Sequence, residues 1–440
     1  MSKELRVLAL VLLAACRSTQ PEEDPRPVSR EWTAQDEAAV VELAQVGVPV
    51  GTESAPLPPP APASSLLEIY VFDIGQADSM LVIGPAPDRK TLLIDLGEPT
   101  GDSQLPPGFT SSTEHVLQRI RELTGRDGVD FFVLTHYHSD HAGFGAGRDQ
   151  GFGTGIIRVL SNFDIPFAVG EFIHVGDDGA QFMPSGPNAR GVFRTIQRRM
   201  QLWIDRGRVG ASRAPVFGPS QIDLGDGVTV DILAFAGRVP GGGPSAFDRA
   251  VAAQADYAAS PGDENDLSIA LGITAGEFEM FTAGDLNGTN SPTGNPPFTR
   301  RTFSNGSSIF TNVEHHLVEH WRSTGRETDV EVYRANHHGS AFSSTAGLLD
   351  ALDPEFVLYS TGADHGHPAE PVVHRAAQTA RQFATTAVVD PALFTSSRGA
   401  RVGEIRIIVA ADGRSYTING ERHRAFTNAE ERNGDDESEN

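Results

Sequence analysis

Thr135-His136-Tyr137-His138-Ser139-Asp140-His141-Ala142-Gly143 decides how the rest of this chain is read. It follows Asp130-Phe131-Phe132-Val133-Leu134, an apolar run rich in aromatic and branched residues, which predicts a buried strand. Three histidines and an aspartate then arrive where that strand ends. His136 and His138 are two apart, so an extended backbone sends both imidazoles to the same side. Asp140 and His141 fall where the chain should turn, and can aim at a second point close by. Neutral imidazole and carboxylate are the ligands that Zn²⁺ and neighbouring divalent ions prefer. With 14 His in 440 residues, the pattern arises by chance on the order of once in a thousand such chains. A metal site explains it better than a solvated His-rich loop.

Outward from this stretch, other predicted strand ends carry the same chemistry. Asp285 closes Phe281-Thr282-Ala283-Gly284-Asp285, and a carboxylate there is placed to bridge two ions. His337-His338-Gly339-Ser340 follows a predicted strand over Val330–Arg334, and the pair fits one metal ligand and one donor facing a substrate. Which histidine takes which role stays open. Asp364-His365-Gly366-His367-Pro368 follows Phe356–Ser360 in the same manner. His174, on a predicted strand over Phe167–Val175, is either a further ligand or a satisfied core histidine. His316 and His320, four apart on a predicted helix over Asn312–Trp321, read as a solvated face. Asp73 and Asp95 also end strands, and suit the role of accepting the free N–H of a metal-bound imidazole.

Further strands are predicted at Leu66–Ile74, Met80–Ile83, Thr91–Leu96, Leu267–Ile273, Phe278–Thr282 and Ala387–Val389. Helices are predicted over Glu114–Leu123, Val192–Ile204, Ala346–Ala351 and Val372–Phe383. Gln221–Ala234 reads as a hairpin turning at Gly225-Asp226-Gly227, and Glu404–Val409 with Ser415–Ile418 as a closing one. Gly241–Ser260 and Asn287–Ser307 read as polar loops. Strands dominate each half with helices between them, which fits two packed sheets covered by helices.

A formal net charge of −23 disfavours a nonspecific nucleic-acid coat, because that binding draws on Lys and Arg. It does not exclude a nuclease, since bound metal ions themselves attract phosphate. Cys16 is the single cysteine, so no intramolecular disulfide is possible. Lys3 and Arg6 form a basic start and Val7–Ala15 a short apolar run. Leu13-Ala14-Ala15-Cys16 then resembles a bacterial lipobox, which implies cleavage before Cys16 and lipid attachment to it. Arg17 after the cysteine is compatible with sorting to an outer membrane. The expected organisation is a leader over 1–16, a Pro-rich acidic tether over 17–64, one domain over 65–420 and an acidic disordered tail over 421–440. The expected location is the cell envelope, outer membrane or periplasm, with Cys16 as the only membrane contact.

Taken together, these blocks resemble the metallo-β-lactamase superfamily, and within it the hydrolase domain of ComEC-type competence proteins. The matching stretches are Phe72-Asp73-Ile74-Gly75-Gln76-Ala77-Asp78-Ser79, Leu93-Ile94-Asp95-Leu96-Gly97, the opening histidine motif, Asn265-Asp266-Leu267-Ser268, Thr282-Ala283-Gly284-Asp285, and His337-His338-Gly339-Ser340 with Gly366-His367-Pro368 beyond. The family usually has Gly where Ala77 and Leu96 stand, and the multi-span channel of the competence proteins is absent, which puts DNA transport in doubt. The resemblance implies an α/β fold, a four-layer αββα sandwich of two mixed β-sheets flanked by helices. It implies two divalent ions, Zn²⁺ with Mn²⁺ as the alternative. His136, His138 and Asp285 would hold one ion, with His174 as an additional candidate. Asp140, His141 and Asp285 would hold the other with His337 or His338, and His367 would sit beside the substrate. The implied reaction is hydrolysis by a metal-activated hydroxide, with Asp140, His338 and His367 in the catalytic set. A phosphodiester, small or nucleic acid, is the expected substrate. The alternatives are another ester or amide (a lactone, β-lactam or phosphocholine ester) and a non-catalytic, metal-stabilised surface module.

Overall fold

A computed structural model describes residues 65–99, 111–144, 152–177, 187–219, 221–240, 264–288, 299–302, 308–311, 313–326, 328–362, 366–385 and 399–425. All of them fall in one compact unit, Pro56–Asn440. The expected leader, tether, Gly241–Ser260 loop, Ala387–Val389 strand and the residues Asp364 and His365 lie outside the described residues, as does the tail beyond 425.

In chain order the strands are β1 (Leu67–Val71), β2 (Met80–Ile83), β3 (Thr91–Ile94), β4 (Gly128–Val133), β5 (Ala168–Ile173), β6 (Val209–Arg213), β7 (Val228–Ala234), β8 (Ala270–Ala275) and β9 (Phe278–Thr282). They continue with β10 (Thr299–Thr302), β11 (Ser308–Thr311), β12 (Val332–Arg334), β13 (Phe356–Tyr359), β14 (Arg381–Ala384), β15 (Gly399–Arg401), β16 (Ile405–Val409), β17 (Ser415–Ile418) and β18 (Glu421–Arg424). The helices are α1 (Ser112–Thr124), α2 (Ser139–Ala142), α3 (Gly155–Ser161), α4 (Pro187–Asp205), α5 (Val313–Thr324), α6 (Ala346–Leu352) and α7 (Glu370–Ala376). No described helix is long and apolar enough to cross a membrane.

One sheet runs β18-β17-β16-β1-β2-β3-β4-β5-β6 and the other β15-β14-β13-β12-β9-β8-β7. Both are mixed. β3, β4, β5 and β6 are mutually parallel, while β1, β2, β16 and β17 pair antiparallel. In the second sheet β9, β12, β13, β14 and β15 are parallel and β7, β8 and β9 antiparallel.

Alternation along the strands sorts the core into layers. Ile69, Val71, Met80 and Ile94 pack between the sheets against Ile273, Met280, Val332 and Leu358. Leu81, Leu93, Phe132 and Phe172 face the other way, onto Val116 and Ile120 of α1, Ile157 of α3 and Ile196 and Trp203 of α4. Phe281, Tyr333 and Val357 face Leu317 and Trp321 of α5, Leu348 of α6 and Val372 of α7. This is the αββα sandwich that the strand and helix pattern predicts. Burying an aliphatic side chain of this size contributes roughly 1.5–3 kcal/mol, so three such clusters hold the layers together. Local signals set the helix ends: Ser111 Oγ accepts the Glu114 N–H at 3.3 Å, and Gly125 closes α1 at φ 72°.

Beyond the unpredicted α3, β6 and β15, other elements differ from expectation. The helix expected over Val372–Phe383 stops at Ala376, turns through 377–379, and enters β14. Ala376, Ala380 and Phe383 carry helical spacing, but Gln382 and Phe383 are recruited as a parallel strand beside β13. Before the Gly225–Gly227 turn the described residues form no strand; β7 pairs along its length with β8 and meets the preceding segment only in an isolated bridge between Ile232 and Gly218. β10 falls inside the expected Asn287–Ser307 loop and pairs with β11. β18 falls inside the expected tail and extends the first sheet to Arg424.

Candidate metal centre

The parallel strands converge on the site because each ends in a polar turn on the same edge. From the first sheet come Asp95 after β3, His136 after β4 and His174 after β5; from the second come Asp285 after β9 and His337 with His338 after β12. His138 caps α2, a single turn that carries Asp140 and His141 back toward the sheet seam. Gly97 permits this: a Cβ there would lie 1.7 Å from the Asp140 carbonyl oxygen. His337 and His338 sit in the short helical turn Asn336–Gly339, both at positive φ (50° and 52°). This left-handed backbone is costly for a non-glycine residue, and the two rings stand 6.4 Å apart at 64° to each other.

Two ligand groups share one carboxylate. His136, His138 and Asp285 form the first; the second brings together Asp78, His141, His338 and Asp285, all within 4.8 Å of one another. Asp285 Oδ2 is 3.9 Å from His136 Nε2, and His136 Nε2 is 3.1 Å from His138 Nδ1. Asp285 Oδ1 is 3.1 Å from His141 Nε2 and 3.8 Å from His338 Nε2. Asp140 Oδ2 lies 3.4 Å from the same His338 nitrogen. His337 stands at the border, its Nε2 3.7 Å from Asp285 Oδ2. Each oxygen of Asp285 therefore faces a different set of imidazoles.

The other ring nitrogens are fixed by acceptors, which turns the free ones inward. His141 Nδ1 is 2.8 Å from Asp95 Oδ2, and His338 Nδ1 donates to the Ser360 carbonyl at 2.7 Å. His337 Nδ1 donates to Asn287 Oδ1 at 3.0 Å. Thr135 Oγ1 donates to Asp95 Oδ2 at 2.7 Å and meets His136 Nδ1 at 3.2 Å. Asn265 holds the ring of His138.

Divalent-cation binding can be tested on the donor atoms alone. His141 Nε2, His338 Nε2 and Asp285 Oδ1 are all buried and none makes a hydrogen bond. Three buried ligand atoms that converge on one point with ion-pair contacts but no well-formed hydrogen bond are the arrangement a cation would complete. Imidazole nitrogen with carboxylate oxygen is also the set that Zn²⁺ and Mn²⁺ accept. The residues fit.

Electrostatics agree. Burial works to raise the Asp285 carboxyl, yet the His141, His337 and His338 rings outweigh it and hold the group well below the usual carboxylate range. Asp140 is likewise lowered against its burial, mainly by His338 and His141. Burial works to lower His141, but Asp285 and Asp95 overcome this and push it well up. His136 and His138 are lowered, chiefly by burial. Burial also lowers His337 to about 4. Neutral, ligand-competent imidazole thus lines the first group, while the carboxylates around the second favour the charged form of His141.

His367 is half-buried beside these residues. Its ring stacks on His338 at 6.2 Å between centroids, and its Nδ1 is 3.3 Å from Gln76 Nε2. His174 joins neither group. It is buried one strand further along, its Nδ1 2.7 Å from Tyr137 Oη and its ring edge-on to Phe172. Asp73 belongs to neither ligand group; burial raises its carboxyl to about 7. Asp78, Arg334, Asn265 and Asn287 were not singled out from sequence. Asp78 stands only five positions after Asp73 in the same motif, so the signal was present but attached to the wrong carboxylate. His315, His316 and His320 lie on α5 and enter neither group.

No family model and no curated protein matches this sequence. Among solved structures it is similar to Tm1679, described as a metal-dependent hydrolase of the β-lactamase superfamily, at 14% identity and TM-score 0.37 over 73% of this chain and 96% of that one. It is similar to the metallo-β-lactamase fold protein YhfI of Bacillus subtilis at 10% identity and TM-score 0.34, over 73% and 96%. It is also similar to CmlA, a diiron β-hydroxylase of Streptomyces venezuelae, at 15% identity and TM-score 0.34, covering 73% of this chain and 53% of CmlA. The chain thus spans about half the length of CmlA. Likenesses this distant assign no activity, and the site is interpreted from its own geometry.

Proposed function

We propose that this protein is a divalent-metal-dependent hydrolase with a binuclear centre, acting on phosphodiester bonds. One observation carries the reading: the two oxygens of Asp285 face separate histidine groups, 3.9 Å from His136 and 3.1 Å from His141. Such a bridging carboxylate is what a pair of cations requires. When bound, the two ions would acidify a water molecule and polarise the substrate oxygen.

The chain's own residues supply the rest. His136, His138 and Asp285 would hold one ion, with His337 at its border. His141, His338, Asp140 and Asp285 would hold the other. Asp95 and the Ser360 carbonyl keep the His141 and His338 rings in the tautomer that leaves Nε2 free. His367 is placed to donate a hydrogen bond to substrate or to protonate a leaving group, with Gln76 orienting its ring. The acidic chain favours a small phosphodiester over long nucleic acid, because it offers few cations to a phosphate backbone. We further propose export and anchoring through Cys16, which labelled palmitate incorporation, abolished in Cys16→Ala, would test.

The activity is tested with bis-p-nitrophenyl phosphate across Zn²⁺ and Mn²⁺. Turnover lost in Asp140→Ala supports the reading. Nitrocefin or lactone hydrolysis without phosphodiester turnover replaces it with the other ester or amide chemistry. Silence toward the whole panel with metal bound leaves a metal-stabilised binding module.

A further inference from the structure

Behind the two metal-facing imidazoles of the second group lies a buried ion pair with no part in the chemistry above. Asp78, on the connection between β1 and β2, pairs with the Arg334 guanidinium at the end of β12. The pair therefore crosses from one sheet to the other. Both side chains are nearly sealed from solvent, 2% exposed for Asp78 and 3% for Arg334.

Asp78 faces the wrong side of the rings to be a ligand. Its Oδ2 is 3.5 Å from His141 Nδ1 and its Oδ1 is 3.6 Å from His338 Nδ1. Those nitrogens already have partners, Asp95 and the Ser360 carbonyl. Neither Asp78 oxygen makes a hydrogen bond to a ring nitrogen, so the carboxylate orients neither ring. What remains is charge. A negative group sits directly behind both imidazoles, and a positive one compensates it. The backbone ties the same residue to the ligand turn: Asp78 N–H donates to the Asp140 carbonyl at 2.8 Å, and its carbonyl accepts the Gly97 N–H at 3.1 Å.

We propose that Asp78 and Arg334 form a positioning pair that sets how tightly the His141–His338 group holds its cation, without either residue binding it. The inference rests on the binuclear reading. Each half then acts with a definite sign. Asp78→Asn keeps the shape but leaves an uncompensated guanidinium behind both rings, which repels a cation. Arg334→Met leaves an uncompensated carboxylate there, which attracts one. A purely structural pair would behave differently, since loss of either member would loosen the site alike.

Zn²⁺ binding to the full chain, followed by calorimetry and equilibrium dialysis, separates these cases. The unsubstituted protein should bind about two equivalents. Asp78→Asn should keep the first and weaken the second by at least about tenfold. Arg334→Met should hold the second as tightly as the parent or more so, and the double variant should return to within about threefold of the parent. Equal weakening in Asp78→Asn and Arg334→Met, or an unchanged second affinity in Asp78→Asn, would overturn the pairing role while leaving two equivalents in the parent. A parent that binds one equivalent or none would overturn the binuclear reading and this inference with it. If Asp78→Asn fails to fold by near-ultraviolet circular dichroism, Arg334→Met decides alone: weaker binding of the second ion refutes the proposal, and unweakened binding supports it.

Discussion

Asp285 Oδ1 lies 3.1 Å from His141 Nε2 across the seam between the two sheets. One residue follows a strand of the second sheet and the other a turn attached to the first, so the centre exists only when the sandwich is closed. The metal site and the inter-sheet core are therefore parts of one cooperative structure, and cation binding should stabilise the folded chain.

Asp95 receives three donors at once: the Thr135 N–H at 2.8 Å, the Thr135 hydroxyl at 2.7 Å and His141 Nδ1 at 2.8 Å. Asp95→Ala should lower cation affinity at the His141 group by about 10- to 100-fold, the usual effect of losing a carboxylate behind a ligating imidazole. Competition with a chromogenic chelator measures it. Affinity unchanged from the parent would contradict the orienting role.

His367 touches Gln76 and stacks on His338 but belongs to neither ligand group. His367→Ala should leave metal content intact and lower kcat by roughly 100-fold, within the range for loss of a general acid. Gln76→Leu should reduce kcat less, because it releases the ring without removing it. Loss of metal from His367→Ala would make His367 a ligand instead.

Asp73 gives the protein a defined pH response. Burial raises its carboxyl from 3.8 to about 7, with Glu404 adding to the effect and the Gly75 N–H opposing it. Between those values the folded state holds the proton and the unfolded state does not, so stability falls as pH rises through this window. Asp73→Asn should remove that dependence. Urea unfolding at pH 5 and pH 8 should show the parent losing on the order of 3 kcal/mol relative to the variant. Parallel behaviour of the two proteins would refute it.

β18 is held by more than its ladder. The His423 ring packs 4.7 Å from Phe356 and 5.3 Å from Tyr416, and Glu421 pairs with Arg381 through bonds of 2.6 and 2.9 Å. A chain ended at 420 should melt about 1–3 °C below one ended at 425, as expected for a loss of about 1–2 kcal/mol in a unit of this size. Equal melting temperatures would show that β18 contributes nothing.

Much of this was legible from residues alone, and the exceptions have physical causes. The histidine motif, Asp285 and Asp95 stand at strand ends, where period-two alternation stops and a polar side chain must face the sheet edge. His337 and His338 could not be told apart, because their division of labour depends on two left-handed residues in succession, a backbone state that no residue type there announces. Asp78 was passed over because its importance comes from Arg334, which lies 256 positions later in the chain. Ala376, Ala380 and Phe383 kept helical spacing beyond the true end of α7, since an apolar run of that length suits a buried parallel strand equally well. β18 merges with the charged tail in sequence, since Glu421, Arg422 and Arg424 are all exposed and leave no apolar alternation to mark a strand.

The central claim is that Asp285 joins two cation sites. Elemental analysis of the purified protein and of Asp285→Asn, after dialysis against submicromolar Zn²⁺, tests it most directly. Close to two equivalents are expected in the parent, and loss of both in the variant with at least a roughly thousandfold fall in phosphodiester turnover. One equivalent or none in the parent, or a variant that keeps both, would contradict it.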